Sequence, residues 1–142
     1  MIKMCFLSLL TCCISFNSFS IDTLKLEQAI FNQINQYRVK IGLPKCTYSA
    51  QQVLSCRSHS LHMATIWKLV HVSSLQEVNA SAEIIQLNYT LARNELETGI
   101  SVLEVFIDSS PHKNIIESDY KAMSIGVFIS DDDDLWVTIR FY

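Results

Sequence analysis

His71, Glu83 and the run Ser109-Ser110-Pro111-His112 are the residues of this chain whose types could carry chemistry. Two imidazole nitrogens and one carboxylate oxygen are a donor set for a borderline divalent cation, zinc foremost, with a position left open for water. Water bound there would be acidified and able to attack a polarised bond, with Ser109 orienting it. The same groups could move protons without a metal. A Ser109 nucleophile activated by His112 would also need an oriented base and an oxyanion hole. Pro111, at the opening of a short helix, hints at amide donors for one. The structural alternative is a polar cluster in which both histidines only hydrogen-bond Glu83. In every case the residues lie far apart along the chain, so the fold must bring them together.

The elements that would do so follow from periodicity. Leu26, Ile30, Ile34 and Tyr37 recur at helical spacing and predict a helix over about residues 23 to 40, stopped by Gly42 and Pro44. Ser49 is expected to cap a second helix reaching about Trp67, with Val53, Leu54, Leu61 and Met63 facing the core. Residues 68 to 79 read as a loop that carries His71 near its start. Residues 81 to 90 fit either a short helix or a strand. A third helix is predicted over about 94 to 108, with Ile100, Leu103 and Phe106 or Ile107 inward, although Gly99 weakens its interior. Pro111 opens a short helix. Residues 123 to 130 and 135 to 142 are β-branched and aromatic runs separated by Asp131 to Asp134, which predicts an antiparallel hairpin. Helices first and a strand pair last point to an α+β fold.

Length and composition bound the function. Lys3 followed by the uncharged apolar run Met4 to Ile14, and by the small residues of Ser18-Phe19-Ser20, reads as a secretory signal cleaved after Ser20. Residues 1 to 20 are therefore expected to be a signal peptide and 21 to 142 one domain, secreted or periplasmic and monomeric. No later stretch is long and apolar enough to span a bilayer. The context around Cys12 and Cys13 suits lipidation poorly. The formal charge of the whole chain is −3, and loss of Lys3 makes the remainder one unit more negative. An acidic domain with no basic stripe argues against nucleic acid or an anionic lipid surface as the partner. Cys46 and Cys56 remain after cleavage, and in an oxidising compartment they are expected to form a disulfide; two buried thiols are the alternative.

Other candidates read as structure. His59 and His62 lie three apart on the second helix, the first read as a packed histidine and the second as surface or cleft rim. Asp131 to Asp134 lack the spacing and glycine of a calcium loop and read as a solvated turn. Trp67, Trp136 and Tyr142 read as core or half-buried aromatics. Asn79-Ala80-Ser81 and Asn88-Tyr89-Thr90 match the glycosylation acceptor pattern.

Taken in order, Asn35-Gln36-Tyr37-Arg38, Gly42-Leu43-Pro44, His59 with Met63-Ala64, His71, Ala82-Glu83-Ile84-Ile85, Ser109-Ser110-Pro111-His112 and Ile125-Gly126-Val127 resemble the CAP superfamily, the SCP domain in its short bacterial form. The resemblance covers about residues 27 to 142. It implies an α-β-α sandwich in a secreted protein, with a cleft lined by two histidines and up to two acids that in some members holds a divalent metal. By position, His71 and His112 would be the cleft histidines and Glu83 the first acid. The chain departs from the pattern at Ile84, where the family usually has Asn, at Phe106, where it has Trp, and at Ser109, near which a second acid would stand. The expected function is a non-catalytic binding module whose His71, Glu83 and His112 cleft holds zinc, another divalent ion, or a small polar or lipid ligand. A metal-dependent or histidine-assisted hydrolase acting on peptide or cell-envelope material is the alternative. A structural remnant with its protein-partner surface elsewhere is the third.

Overall fold

The computed structural model describes residues 20–142. The expected signal segment, with Cys5, Cys12 and Cys13, lies outside the described residues except for Ser20. Helix α1, Thr23–Lys40, is capped by Asp22, whose carboxylate accepts from the Leu24 and Lys25 amides. Leu26, Ile30 and Ile34 form its fully buried stripe, as their four-residue spacing predicts. Gly42, at φ +86°, turns the chain out of the helix. Just before this exit the fully buried Arg38 donates to four carbonyls, those of Pro44, Ile116, Ser118 and Tyr120. The guanidinium thereby fastens the end of α1 to chain segments some eighty residues later.

Helix α2, Val53–Ile66, follows a single 3-10 turn at Ala50–Gln52. Ser49 forms no side-chain cap, against expectation. Its amide donates to the Met123 carbonyl and its own carbonyl accepts from the Ser124 hydroxyl, so the residue ties this loop to the sheet instead. The inward stripe of α2 is Val53, Cys56, Ser60 and Met63, while Leu54 and Leu61, expected in the core, are exposed. Ser60 is tolerated inside because its hydroxyl bonds both the Gly126 carbonyl and Thr138. Trp67 ends α2 in the left-handed region, with its ring edge-on to the buried Trp136 at 5.5 Å. It is more exposed than expected.

Four strands form one sheet: β1 (Thr47–Tyr48), β2 (Ala82–Asn88), β3 (Ala122–Ile129) and β4 (Leu135–Phe141), in the order β1-β3-β4-β2. The hairpin β3–β4 is antiparallel as expected, β2 adds antiparallel to β4, and the short β1 is parallel to β3. The stretch that fitted either helix or strand is thus a strand, and β1 had no sequence signal. Helix α3 is Glu95–Asp108 and α4 is Ser110–Ile116, with Pro111 in the first turn of α4. In α3, Val102 and Phe106 are buried while Ile100 faces out. Gly99 belongs here because the α1 backbone at Ala29 approaches to 3.1 Å of where a Cβ would stand.

The layers follow from strand alternation. Ile84, Ile125, Val127, Val137 and Ile139 join the core built with α1 and α3. Ile85 and Trp136 face the other way and pack with Met63 of α2. The result is an α-β-α sandwich of α+β class. The expected Cys46–Cys56 disulfide is absent from it. Both cysteines are buried free thiols, directed at different carbonyls of the β3 segment, Tyr120 for Cys46 and Ser124 for Cys56. Burial pushes the Cys56 thiol up to about 12.

Gly126 sets the distance between α2 and the sheet. A Cβ there would lie 2.1 Å from the Arg57 nitrogen and 2.4 Å from the Cys56 carbonyl carbon, both backbone atoms that cannot step aside. Gly126→Ala is expected to destabilise the domain by about 3 kcal/mol, read as a lower denaturation midpoint with an unchanged slope.

Candidate functional site

The site is assembled around one carboxylate. Glu83 lies on β2 on the α2 side of the sheet, directly opposite Arg140 on β4. Both side chains are almost wholly buried. Arg140 Nε donates to Glu83 Oε2 at 2.8 Å, and a terminal nitrogen of the same guanidinium donates to the Ser55 hydroxyl of α2 at 2.7 Å. Glu83 Oε1 accepts from the Val72 amide at 2.9 Å and lies 3.1 Å from His71 Nδ1. His59 Nε2 stands 3.7 Å from that oxygen and hydrogen-bonds the Val70 carbonyl at 2.8 Å. The Val70–His71–Val72 segment is therefore held on both sides, to α2 through Val70 and to β2 through Val72.

These contacts settle the protonation states. Burial alone would raise the Glu83 carboxyl, but the Val72 amide and the Arg140 guanidinium outweigh it, with the nearby His59 adding to their effect, and hold the group below its ordinary 4.5. An ionised carboxylate only accepts hydrogen bonds, so His71 Nδ1 carries the proton. In the neutral ring the lone pair is then on the other nitrogen, Nε2, and the ring is half-exposed. His59 Nε2 must likewise carry a proton, because its partner is a carbonyl.

His112, on α4, is the second expected histidine. Its ring is half-buried and edge-on to Phe106 at 5.3 Å. Burial, and secondly the charge that His71 carries when it is protonated on both nitrogens, push its imidazole below the ordinary 6.5. Phe106 thus backs this histidine from α3. Ser109 joins α3 to α4 through its backbone, its carbonyl accepting from the Lys113 amide. Among the described residues no hydrogen bond links it to His112. Beside His71 lies a cavity of about 220 Å³ lined by His71, Val72, Leu75 and Glu83.

The structure therefore brings His71 and Glu83 into contact, places His112 within electrostatic reach, and leaves Ser109 apart. It adds Arg140, Ser55 and His59, which sequence reasoning did not assign to the site. Arg140 carried a usable signal, as the only charged residue in the apolar run from Leu135 to Phe141. A lone charge in a buried strand requires a buried partner. Among the described residues no three His, Cys, Asp or Glu side chains gather as a ligand set for a metal. Glu83 in particular has both oxygens engaged by protein donors. His62 is exposed, its ring centroid 6.3 Å from that of His59. Of the four aspartates expected in a solvated turn, Asp131 to Asp133 are exposed, whereas Asp134 is buried with its amide on the Ser130 hydroxyl.

No protein-family model and no curated protein matches the sequence. Solved structures do match the fold. An extracellular protein containing an SCP domain from Bacillus anthracis superposes with a TM-score of 0.65 at 17% identity, over 84% of this chain and 41% of that one. An outer surface protein from Borrelia burgdorferi gives 0.68 at 13% identity, over 84% of this chain and 94% of that one. A cysteine-rich secretory protein from Staphylococcus aureus gives 0.59 at 16% identity, over 84% of this chain and 39% of that one. This chain thus spans about two fifths of the Bacillus and Staphylococcus proteins and nearly all of the Borrelia protein. At these identities the likeness is one of fold: the architecture is that of the SCP domain.

Removing the charge of Glu83 while keeping its shape isolates its role. Glu83→Gln leaves Arg140 buried without a counter-ion and is expected to cost about 3–5 kcal/mol in urea unfolding. The folded carboxyl binds its proton more weakly than the unfolded one. Its contribution to stability is therefore complete above pH 4.5 and is lost as the pH falls below that value. Stability measured from pH 6 to pH 3 should fall less steeply in the Glu83→Gln protein than in the wild type.

Proposed function

We propose that this chain is a secreted binding domain of the SCP type, whose cleft takes up a divalent metal ion reversibly through His71 and His112. The observation that carries this reading is the 3.1 Å contact between His71 Nδ1 and a Glu83 carboxylate whose two oxygens are also engaged by the Val72 amide and the Arg140 guanidinium. A carboxylate behind a histidine fixes the tautomer, aims the outer nitrogen and raises its basicity, an arrangement typical of metal-ligating imidazoles. Glu83 is then the support of the site and not a direct ligand. Two imidazoles, with water completing the sphere, suit a borderline ion such as zinc. A bound ion would supply Lewis acidity to whatever ligand shares it.

The same geometry favours binding over hydrolysis. A general base must be free to accept a proton. Glu83 is held ionised by three strong donors, and Ser109 lacks the oriented base a nucleophile needs. The leader-like segment from Lys3 to Ser20 supports a location outside the cytoplasm, as does the likeness to proteins described as extracellular, outer surface and secretory.

Calorimetric titration of the secreted protein with zinc at neutral pH tests the reading. One-to-one binding is expected, abolished in both His71→Ala and His112→Ala. It should weaken by about 10–100-fold in Glu83→Gln at a temperature where that variant stays folded. Absence of binding to the wild type, or binding that survives both histidine substitutions, would overturn it.

A further inference from the structure

The outer edge of β3 is only partly paired. Strand β1 reaches no further along it than Ala122 and Met123. On the inner side, Ala122 exchanges both backbone hydrogen bonds with Tyr142, and the Ser130 amide donates to the Asp134 carbonyl. Such groups alternate along an antiparallel pair. The even-numbered residues of β3 therefore turn their amides and carbonyls to β4, and the odd-numbered ones turn theirs outward. The outward Val127 amide donates to the Glu27 carboxylate, which Arg57 holds from α2. Two residues further on, Ile129 has no such cover. Among the described residues no hydrogen bond engages its outward amide or carbonyl.

This open end of the edge lies in a groove of about 380 Å³. Thr23 of α1 stands on one side of it, Leu54, Arg57 and Leu61 of α2 on the other, and Val127 and Ile129 of β3 between them. Leu54 and Leu61 are seven residues apart, two turns along one face of α2, and are 71% and 47% exposed. They form a second apolar stripe beside the one that packs on the sheet. Unpaired strand groups next to exposed apolar surface are a template for another strand, and proteins ordinarily cover such an edge. Here the Glu27–Arg57 pair covers Val127 and stops short of Ile129.

An extended peptide matches this chemistry. One of its residues, set opposite Ile129 in antiparallel sense, both gives and accepts a hydrogen bond there. The residues before and after that one turn their side chains to the α2 side, as Phe128 does, where Leu54 and Leu61 receive apolar groups. The N-terminal end of the peptide then comes beside the hairpin tip. Asp131, Asp132 and Asp133 are exposed there and call for a cationic residue. Arg57 is already matched by Glu27, and the one ammonium that leader removal would leave at Ile21 shares a cavity with Asp133. The charges of Asp131 and Asp132 are thus left for a partner. A second copy fits less well, because its own β3 edge is equally recessed between α1 and α2. We infer that the β3 edge is a second binding site, separate from the histidine cleft. It takes an extended peptide by strand addition, with apolar residues toward α2 and a basic residue beside Asp131.

Titration of the secreted protein with acetyl-Lys-Lys-Val-Thr-Val-amide, followed by amide chemical shifts and hydrogen exchange, tests this. Saturable binding is expected, and the Ile129 amide, quick to exchange in the free protein, should become protected. Methylation of the threonine nitrogen removes the donor that meets Ile129 and should weaken binding about five-fold. Replacing both lysines of the peptide by glutamate should weaken it by about as much. The double variant Leu54→Gln, Leu61→Gln should lose a similar factor, and because both side chains are exposed it should stay folded. His71→Ala should leave peptide binding unchanged. No saturable binding, binding without protection of Ile129, or equal binding of the methylated or glutamate peptide would overturn the inference. So would protection of Ile129 in the free protein that grows with protein concentration, which would assign the edge to a second copy.

Discussion

The buried pair of Glu83 and Arg140 is the constraint on which the rest of the site depends. Two charges taken out of water are costly, and their mutual attraction offsets that cost only when the remaining donors and acceptors are also satisfied. Here Ser55 and Val72 supply such partners, and each comes from a different part of the chain. Ser55 brings α2, Val72 brings the loop after α2, and the pair itself joins β2 to β4. A slip of one residue between β2 and β4 would send Glu83 and Arg140 to opposite faces of the sheet and leave both uncompensated. The ion pair therefore selects register as well as holding a cleft. His71 is placed by it twice, through its own ring and through the amide of the residue that follows it.

A similar device fixes α1 at two further points. Glu27 of α1 accepts from both nitrogens of the Arg57 fork on α2 and from the Val127 amide at the end of β3. Arg38 gathers four carbonyls from two segments, Pro44 and the stretch from Ile116 to Tyr120. These guanidinium-centred knots join elements distant in sequence, the task a disulfide performs in many small secreted domains. Arg is suited to it because its planar fork satisfies several acceptors at once and stays charged when buried. Cys46 and Cys56 are then free to act as small apolar residues with weak S–H donors.

What was legible in the sequence divides along the same line. Periodicity placed α1, α3 and the β3–β4 hairpin, because each carries a continuous apolar stripe, Leu26, Ile30 and Ile34 in α1, even where Glu27 and Arg38 are buried beside it. It failed on α2, whose inward face is Val53, Cys56, Ser60 and Met63: a polar residue sits inside, and Leu54 and Leu61 point to solvent. A pattern method assigns the stronger hydrophobes to the core and so rotates the helix. Strand β2 stayed ambiguous because it presents Ile84 to one layer, Ile85 to the other, and a charge between apolar neighbours. The histidine–carboxylate contact was legible as residue types brought together by a resemblance. Its polarity was not. Whether Glu83 is a ligand, a base or a support depends on which donors occupy its oxygens. Those donors are a backbone amide and an arginine fifty-seven residues away.

This last point governs what the cleft can do. A carboxylate with open lone pairs beside a histidine can accept a proton or join a metal directly. One held by an amide, an imidazole and a guanidinium has spent its basicity on the fold. The chemistry is passed outward instead, to His71 Nε2, on a half-exposed ring that borders the cavity beside it. A buried charge spent on packing acts through the neighbours it positions, and here it aims an imidazole.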